Sequence, residues 1–90
     1  MKEPDTTDKQ FASAVAIKAE INRRLILMGR KRDPCSRCRV LLPVEATPRE
    51  QQIYGTNWRV HDFNTPVPGC AKVVLAAIVS VMREYECSDW

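Results

Sequence analysis

Two thiols separated by two residues, Cys35-Ser36-Arg37-Cys38, constrain this chain more than any other feature. A two-residue spacer lets a tight turn bring both sulfurs to one tetrahedral centre, and thiolates are ligands of structural zinc. A closed zinc site needs four ligands. Cys70 stands at the entrance of an expected helix, where the helix N-terminus favours a thiolate. His61, the only histidine, lies nine positions before it on an expected strand. The expected set is therefore Cys35, Cys38, His61 and Cys70 around one structural zinc, with Cys87 the alternative fourth ligand. A continuous C-terminal helix would hold Cys70 and Cys87 roughly 25 Å apart at 1.5 Å per residue, too far for both to serve one ion. Two plainer readings stand beside the metal: a redox pair of the thioredoxin type, although no βαβ pattern surrounds it, and simple packed thiols.

A staple matters because the chain is short. Ninety residues make one domain. A domain of that size buries only about 60–65% of its unfolded surface, so its core is thin. The 44% hydrophobic content is that of a folded protein. The start, Met1 to Asp8, is polar and acidic, with no apolar run after a basic opening, so no signal peptide is expected. The longest apolar run, Val73 to Val79, is far below the ~18 residues that span a bilayer. The expectation is a cytoplasmic chain without membrane contact. In that compartment four cysteines read as metal ligands or free thiols rather than a disulfide framework.

Local signals place the elements. Residues 1–6 read as a tail. Thr7-Asp8-Lys9-Gln10 fits a capping box, predicting a helix over 8–28 that ends at Gly29. Its apolar stripe is Ala14, Ile17, Ile21, Leu25 and Met28, with Phe11 at its start and Lys18, Asn22 and Arg23 falling away from it. Arg39 to Val44 reads as a short strand limited by Pro43. Thr47-Pro48-Arg49-Glu50 is a second capping box, opening a short helix to about Tyr54 that stops at Gly55. Trp58 to Phe63 alternates as a strand, and a helix is expected over 71–86, followed by a frayed tail from Cys87. That helix is apolar almost all round, which predicts either a central position or a homodimer formed through 71–86.

The predicted fold is a small α+β domain: a long N-terminal helix and an apolar C-terminal helix around a short β-hairpin, with a zinc-binding region over 35–70. Knuckle, strands, then a helix with a ligand at its entrance resembles a treble clef or zinc ribbon. The resemblance covers Cys35 to Glu86 and lacks the second CxxC, since Val73 stands where its last thiol would be. Thr47 to Ile53 is similar to the first-helix opening of some bacterial response-regulator DNA-binding domains. That similarity covers seven residues, and Pro66 and Pro68 break the recognition helix that would follow.

Charge is placed unevenly. Seven Lys or Arg against one acid, Asp33, lie between Arg23 and Arg39, so this segment carries +6 in a chain whose net charge is +3. Arg30, Lys31, Arg32, Arg37 and Arg39 flank the knuckle and suit phosphates. Tyr54 and Trp58 would stack on bases if exposed. The expected function is a non-catalytic zinc-binding regulator, transcription-associated, that contacts nucleic acid or a nucleoprotein complex. The alternative is an adaptor or inhibitor of phage or mobile-element type that docks on a host protein, with the basic patch against an acidic surface. No enzyme is expected: there is no glycine-rich phosphate loop and no spacing that suggests a triad, and the adjacent His61 and Asp62 face opposite sides of a strand.

Overall fold

The computed structural model describes residues 9–28, 35, 37–61, 63–64 and 69–90. Among these lie three helices and six short strands: β1 (Gln10–Ala12), α1 (Ala14–Met28), β2 (Arg39–Val40), β3 (Val44–Glu45), α2 (Pro48–Tyr54), β4 (Trp58–Arg59), β5 (Phe63–Asn64), α3 (Ala71–Met82) and β6 (Tyr85–Cys87). The α+β class expected from the sequence is the class observed. The residues 1–6, Thr7 and Gly29 lie outside the described residues, as do Arg30, Lys31 and Arg32.

The middle of the chain is one long hairpin. β2 pairs antiparallel with β5, and β3 with β4. Stepping inward from Arg39↔Asn64 and Val40↔Phe63 along both arms arrives at Val44↔Arg59 and Glu45↔Trp58, so one register runs through both pairs. The ladder is interrupted between them, at Pro43, which has no N–H to donate. α2 caps the hairpin tip. Its capping box is complete: the Glu50 N–H donates to Thr47 Oγ1 (3.1 Å) and the Thr47 N–H to Glu50 Oε1 (2.9 Å). Gly55 closes the helix in a left-handed conformation, φ 75°, where a side chain would be strained.

The first and last strands meet. β1 and β6 pair in parallel, Gln10 opposite Tyr85 and Ala12 opposite Cys87. This shortens both predicted helices. α1 begins at Ala14 rather than residue 8, with Ser13 as its cap: the Ala16 N–H donates to Ser13 Oγ (3.1 Å). α3 ends at Met82 rather than residue 86, Tyr85–Cys87 form a strand, and Cys87, expected to open a frayed tail, is buried in it. The competing force is non-local. Asn57 holds Cys87 as a strand neighbour would, its Oδ1 accepting from the Cys87 N–H (2.8 Å) and its Nδ2 donating to the Cys87 carbonyl (2.9 Å). Trp90 Nε1 then donates to the Asn57 carbonyl (2.8 Å).

One core joins these parts. Ile17, Ile21 and Leu25 of α1 face Val74, Ala77, Ile78, Val81 and Met82 of α3, with Val40 and Trp58 added from the hairpin. Trp58 is fully buried, its Nε1 donating to the Tyr85 carbonyl (3.1 Å), so it is a core residue and not a base-stacking platform. Asn22 repeats the amide clamp at the other arm, accepting from the Val40 N–H (2.8 Å) and donating to its carbonyl (3.4 Å).

Candidate functional site

Cys35, Cys38 and Cys70 are all buried in this core. The knuckle turn is present, since the Cys38 N–H donates to the Cys35 carbonyl (3.1 Å). Cys70 occupies the N-cap of α3, with no side chain capping the helix. Cys35 is bonded to Cys70 in a disulfide whose Cα atoms are 5.3 Å apart, while Cys38 and Cys87 are free thiols. A disulfide differs from the free or metal-bound thiols expected of a reducing compartment, and pairing is something that spacing alone does not determine.

His61 stands elsewhere. It is exposed, with Nδ1 3.4 Å from Arg59 Nη1, and it lines a groove with Lys18, Leu41, Leu42 and Val44. Among the described residues no three His, Cys, Asp or Glu side chains are grouped to hold a metal ion. The structure therefore unites Cys35 with Cys70, holds Cys38 one turn away, and leaves His61 outside the cluster. Cys87, at the chain end, is buried against β1, and burial pushes its thiol pKa up.

The basic segment divides in two. Its helical part is consumed internally: Glu20 Oε2 accepts from Arg23 Nη2 and from Arg24 Nε, both at 2.6 Å, and Arg24 Nη2 reaches Glu84 at 2.7 Å. Arg24 Nη1 also donates to Ser80 Oγ (3.1 Å), which ties α1 to α3. Farther along, Arg37 is exposed and Arg39 donates to the Cys38 carbonyl (2.7 Å).

The Arg23 hydrogen bond, then that from Arg24, holds the Glu20 carboxyl down to about 2 from an ordinary 4.5, against the opposing effect of burial. The charged form is the stabilised one. Its contribution is complete above pH 4.5 and disappears as pH falls towards 2. Glu20→Gln is expected to flatten the acid limb of a stability-against-pH curve across that window, measured by urea unfolding.

The feature that composition did not reveal lies on α3. Leu75 (51% exposed) and Val79 (41%) stand on an exposed face of α3, one residue on from the buried Val74 and Ile78. With Tyr54 of α2, Arg59 and Val60, and with Ile78 and Met82 as floor, they line an apolar groove of about 140 Å³. Ile53, the residue before Tyr54 on α2, is also exposed. Lys72 and Arg83 lie at the two ends of the helix, and neither makes a hydrogen bond or ion pair through its side chain among the described residues. The near-uniform apolarity of Val73 to Val79 was legible as a helix needing cover on two sides. That α2 would supply one wall of a groove was not.

No helix among the described residues is long and apolar enough to cross a membrane. No family model matches this chain, and no curated protein and no solved structure matches it.

Proposed function

We propose that this chain is a small non-catalytic interaction domain that regulates by docking on another protein, its α2–α3 groove receiving an acidic amphipathic helix. The observation that carries this reading is the exposed Leu75 and Val79 pair lining a groove on a helix that carries Lys72 and Arg83 at its two ends, neither paired among the described residues. A 140 Å³ groove has room for one apolar anchor side chain, since a cavity near 150 Å³ takes up benzene. Lys72 sits in the first turn of α3, where the helix dipole disfavours a cation, and that turn holds no acid to offset it. An acidic flank on the incoming helix supplies the missing charge, and Arg83 meets the other end. A second copy of this face is the poorer occupant because it would bring the Lys72 and Arg83 cations of both chains together.

A fluorescein-labelled helical peptide with Leu and Phe on one face and Glu on the other is the direct probe, followed by anisotropy. Saturable binding is expected, weakened about tenfold or more by Leu75→Asp or Val79→Asp, a size usual for a central interface anchor. The same peptide with every Glu changed to Lys is expected to bind about tenfold or more weakly. Equal affinity for the two peptides, or no effect of either substitution, contradicts the reading. Binding to random-sequence duplex DNA that falls steeply with salt and is lost on changing Arg30, Lys31 and Arg32 to Ala would favour the basic segment as the working surface instead. A concentration-dependent dimer abolished by Leu75→Asp would assign the face to self-association.

A further inference from the structure

We infer that Cys35, Cys38 and Cys70 form a three-thiol exchange site in which Cys35 is the shared sulfur, bonded either to Cys70 or to Cys38.

The geometry gives Cys35 two partners. Its Cα is 5.3 Å from that of Cys70, to which it is bonded. The Cys38 N–H to Cys35 carbonyl hydrogen bond (3.1 Å) closes a four-residue turn. Such a turn keeps its end Cα atoms within about 7 Å, which overlaps the roughly 4.4–6.8 Å that a disulfide spans. Cys38 carries a free thiol and belongs to the same buried cluster as the bond it would attack.

The step balances without an outside oxidant. The three sulfurs are buried, so the step takes place in a local opening that admits solvent. There Cys38 gives its thiol proton to water, and its thiolate attacks Cys35 Sγ. The Cys35–Cys38 bond forms as the Cys35–Cys70 bond breaks, and Cys70 leaves as a thiolate that later takes up a proton. One disulfide is present before and after, so no net oxidation or reduction occurs. The leaving group is well placed. Cys70 is the N-cap of the 12-residue α3, and a helix N-terminus lowers a thiol pKa. A lower-pKa thiol leaves faster in exchange.

Direction matters for the fold. The Cys35–Cys70 bond ties the whole hairpin and α2, which lie between these residues, to the start of α3. A Cys35–Cys38 bond closes only the turn and releases α3 from that tie. External thiols such as glutathione would reach the same three buried sulfurs through that opened form. In a reducing compartment, disulfides are characteristically transient and redox-sensing. Cys87 stands outside the exchange, held in β6 against β1 with its thiol pKa raised by burial.

The test is disulfide mapping of the full chain in a glutathione redox buffer, with free thiols blocked before acid quench and trypsin digestion. Arg37 lies between Cys35 and Cys38, so trypsin cuts between them and a Cys35–Cys38 bond appears as two linked peptides. The wild-type chain is expected to give the Cys35–Cys70 linkage as its major product and the Cys35–Cys38 linkage as a minor one. Cys70→Ser is expected to shift the Cys35 bond entirely to Cys38. Failure to find the Cys35–Cys38 linkage in wild type at any buffer ratio would overturn the inference, whether or not the variant folds. So would a Cys70→Ser chain, folded by circular dichroism, in which Cys35 and Cys38 both stay alkylatable. One zinc per chain after purification without chelator, lost in Cys35→Ser, would overturn it in favour of a metal centre.

Discussion

Replacing Trp58 by Ala is expected to destabilise the fold by about 3–5 kcal/mol, the usual cost of emptying a buried aromatic site. That is a large share of the roughly 5–15 kcal/mol available to a domain of this size. Trp58 is inaccessible to solvent, and it sits where the hairpin meets the C-terminal strand. Removing it empties the centre of the hairpin's contribution to the core. Trp58→Phe is expected to cost much less. It keeps most of the apolar volume, and the Tyr85 carbonyl that loses the indole N–H still accepts from Thr56 Oγ1 (2.9 Å). Urea unfolding followed by far-UV circular dichroism, which does not rely on the deleted fluorophore, measures both. Equal losses for Ala and Phe would mean that the hydrogen bond, and not the packing, dominates at this site.

Reducing the Cys35–Cys70 bond is the second large effect. The cross-link spans a sequence separation of 35. In the chain-entropy account, closing a loop of that length restricts the unfolded state by about 4 kcal/mol. The oxidised chain is therefore expected to lose about that much stability on treatment with a phosphine reductant and to be indifferent to EDTA. Reduction is a cleaner perturbation than substitution because both sulfurs stay in the core. A zinc-stapled chain would behave in the opposite way, losing stability to the chelator and not needing oxidation. The two treatments applied to one sample thus separate the two ways in which Cys35 and Cys70 can join distant parts of the chain.

The sequence carried the local features and missed the distant ones. α2 was legible to the residue because everything that defines it is within nine positions: Thr47 as cap, Pro48 in the first turn, Glu50 reaching back and Gly55 at the end. The hairpin arms were legible as a short strand limited by Pro43 and as the alternation of Trp58 to Phe63, but their shared register is a property of the two segments together. α1 was placed with its inward face, because Ala14, Ile17, Ile21 and Leu25 recur at helical spacing, although Met28 of the expected stripe is exposed, and α3, read as apolar almost all round, was placed without one. Their outer ends were overextended. Phe11 continues the helical pattern, and only the pairing of β1 with β6, more than seventy residues away, removes it from the helix. Ser13 was the one local hint, a capping residue four positions ahead of Ile17. Asn22 and Asn57 had no local signature at all. Each is a polar residue whose task, satisfying the backbone of a distant strand, exists only once the chain has folded.

The same distinction applies to the candidate sites. The knuckle and the position of Cys70 at a helix entrance followed from spacing, whereas the choice of Cys70 as the partner of Cys35 did not. The basic run was visible as composition, yet Arg23 pairs with Glu20 within α1, and Arg24 with Glu20 and with Glu84 just beyond α3. Ion pairs of this kind lower the charge available to a polyanion without changing the formal count.

Amide chemical-shift mapping of the oxidised, isotope-labelled chain titrated with the acidic amphipathic peptide tests the docking face most directly. The groove predicts perturbations concentrated on Ile53, Tyr54 and Val60 and along α3 from Lys72 to Arg83, with Arg37 and Arg39 unmoved. Perturbations centred on Arg37 and Arg39, with Leu75 and Val79 unmoved, would contradict it and return the binding role to the basic segment.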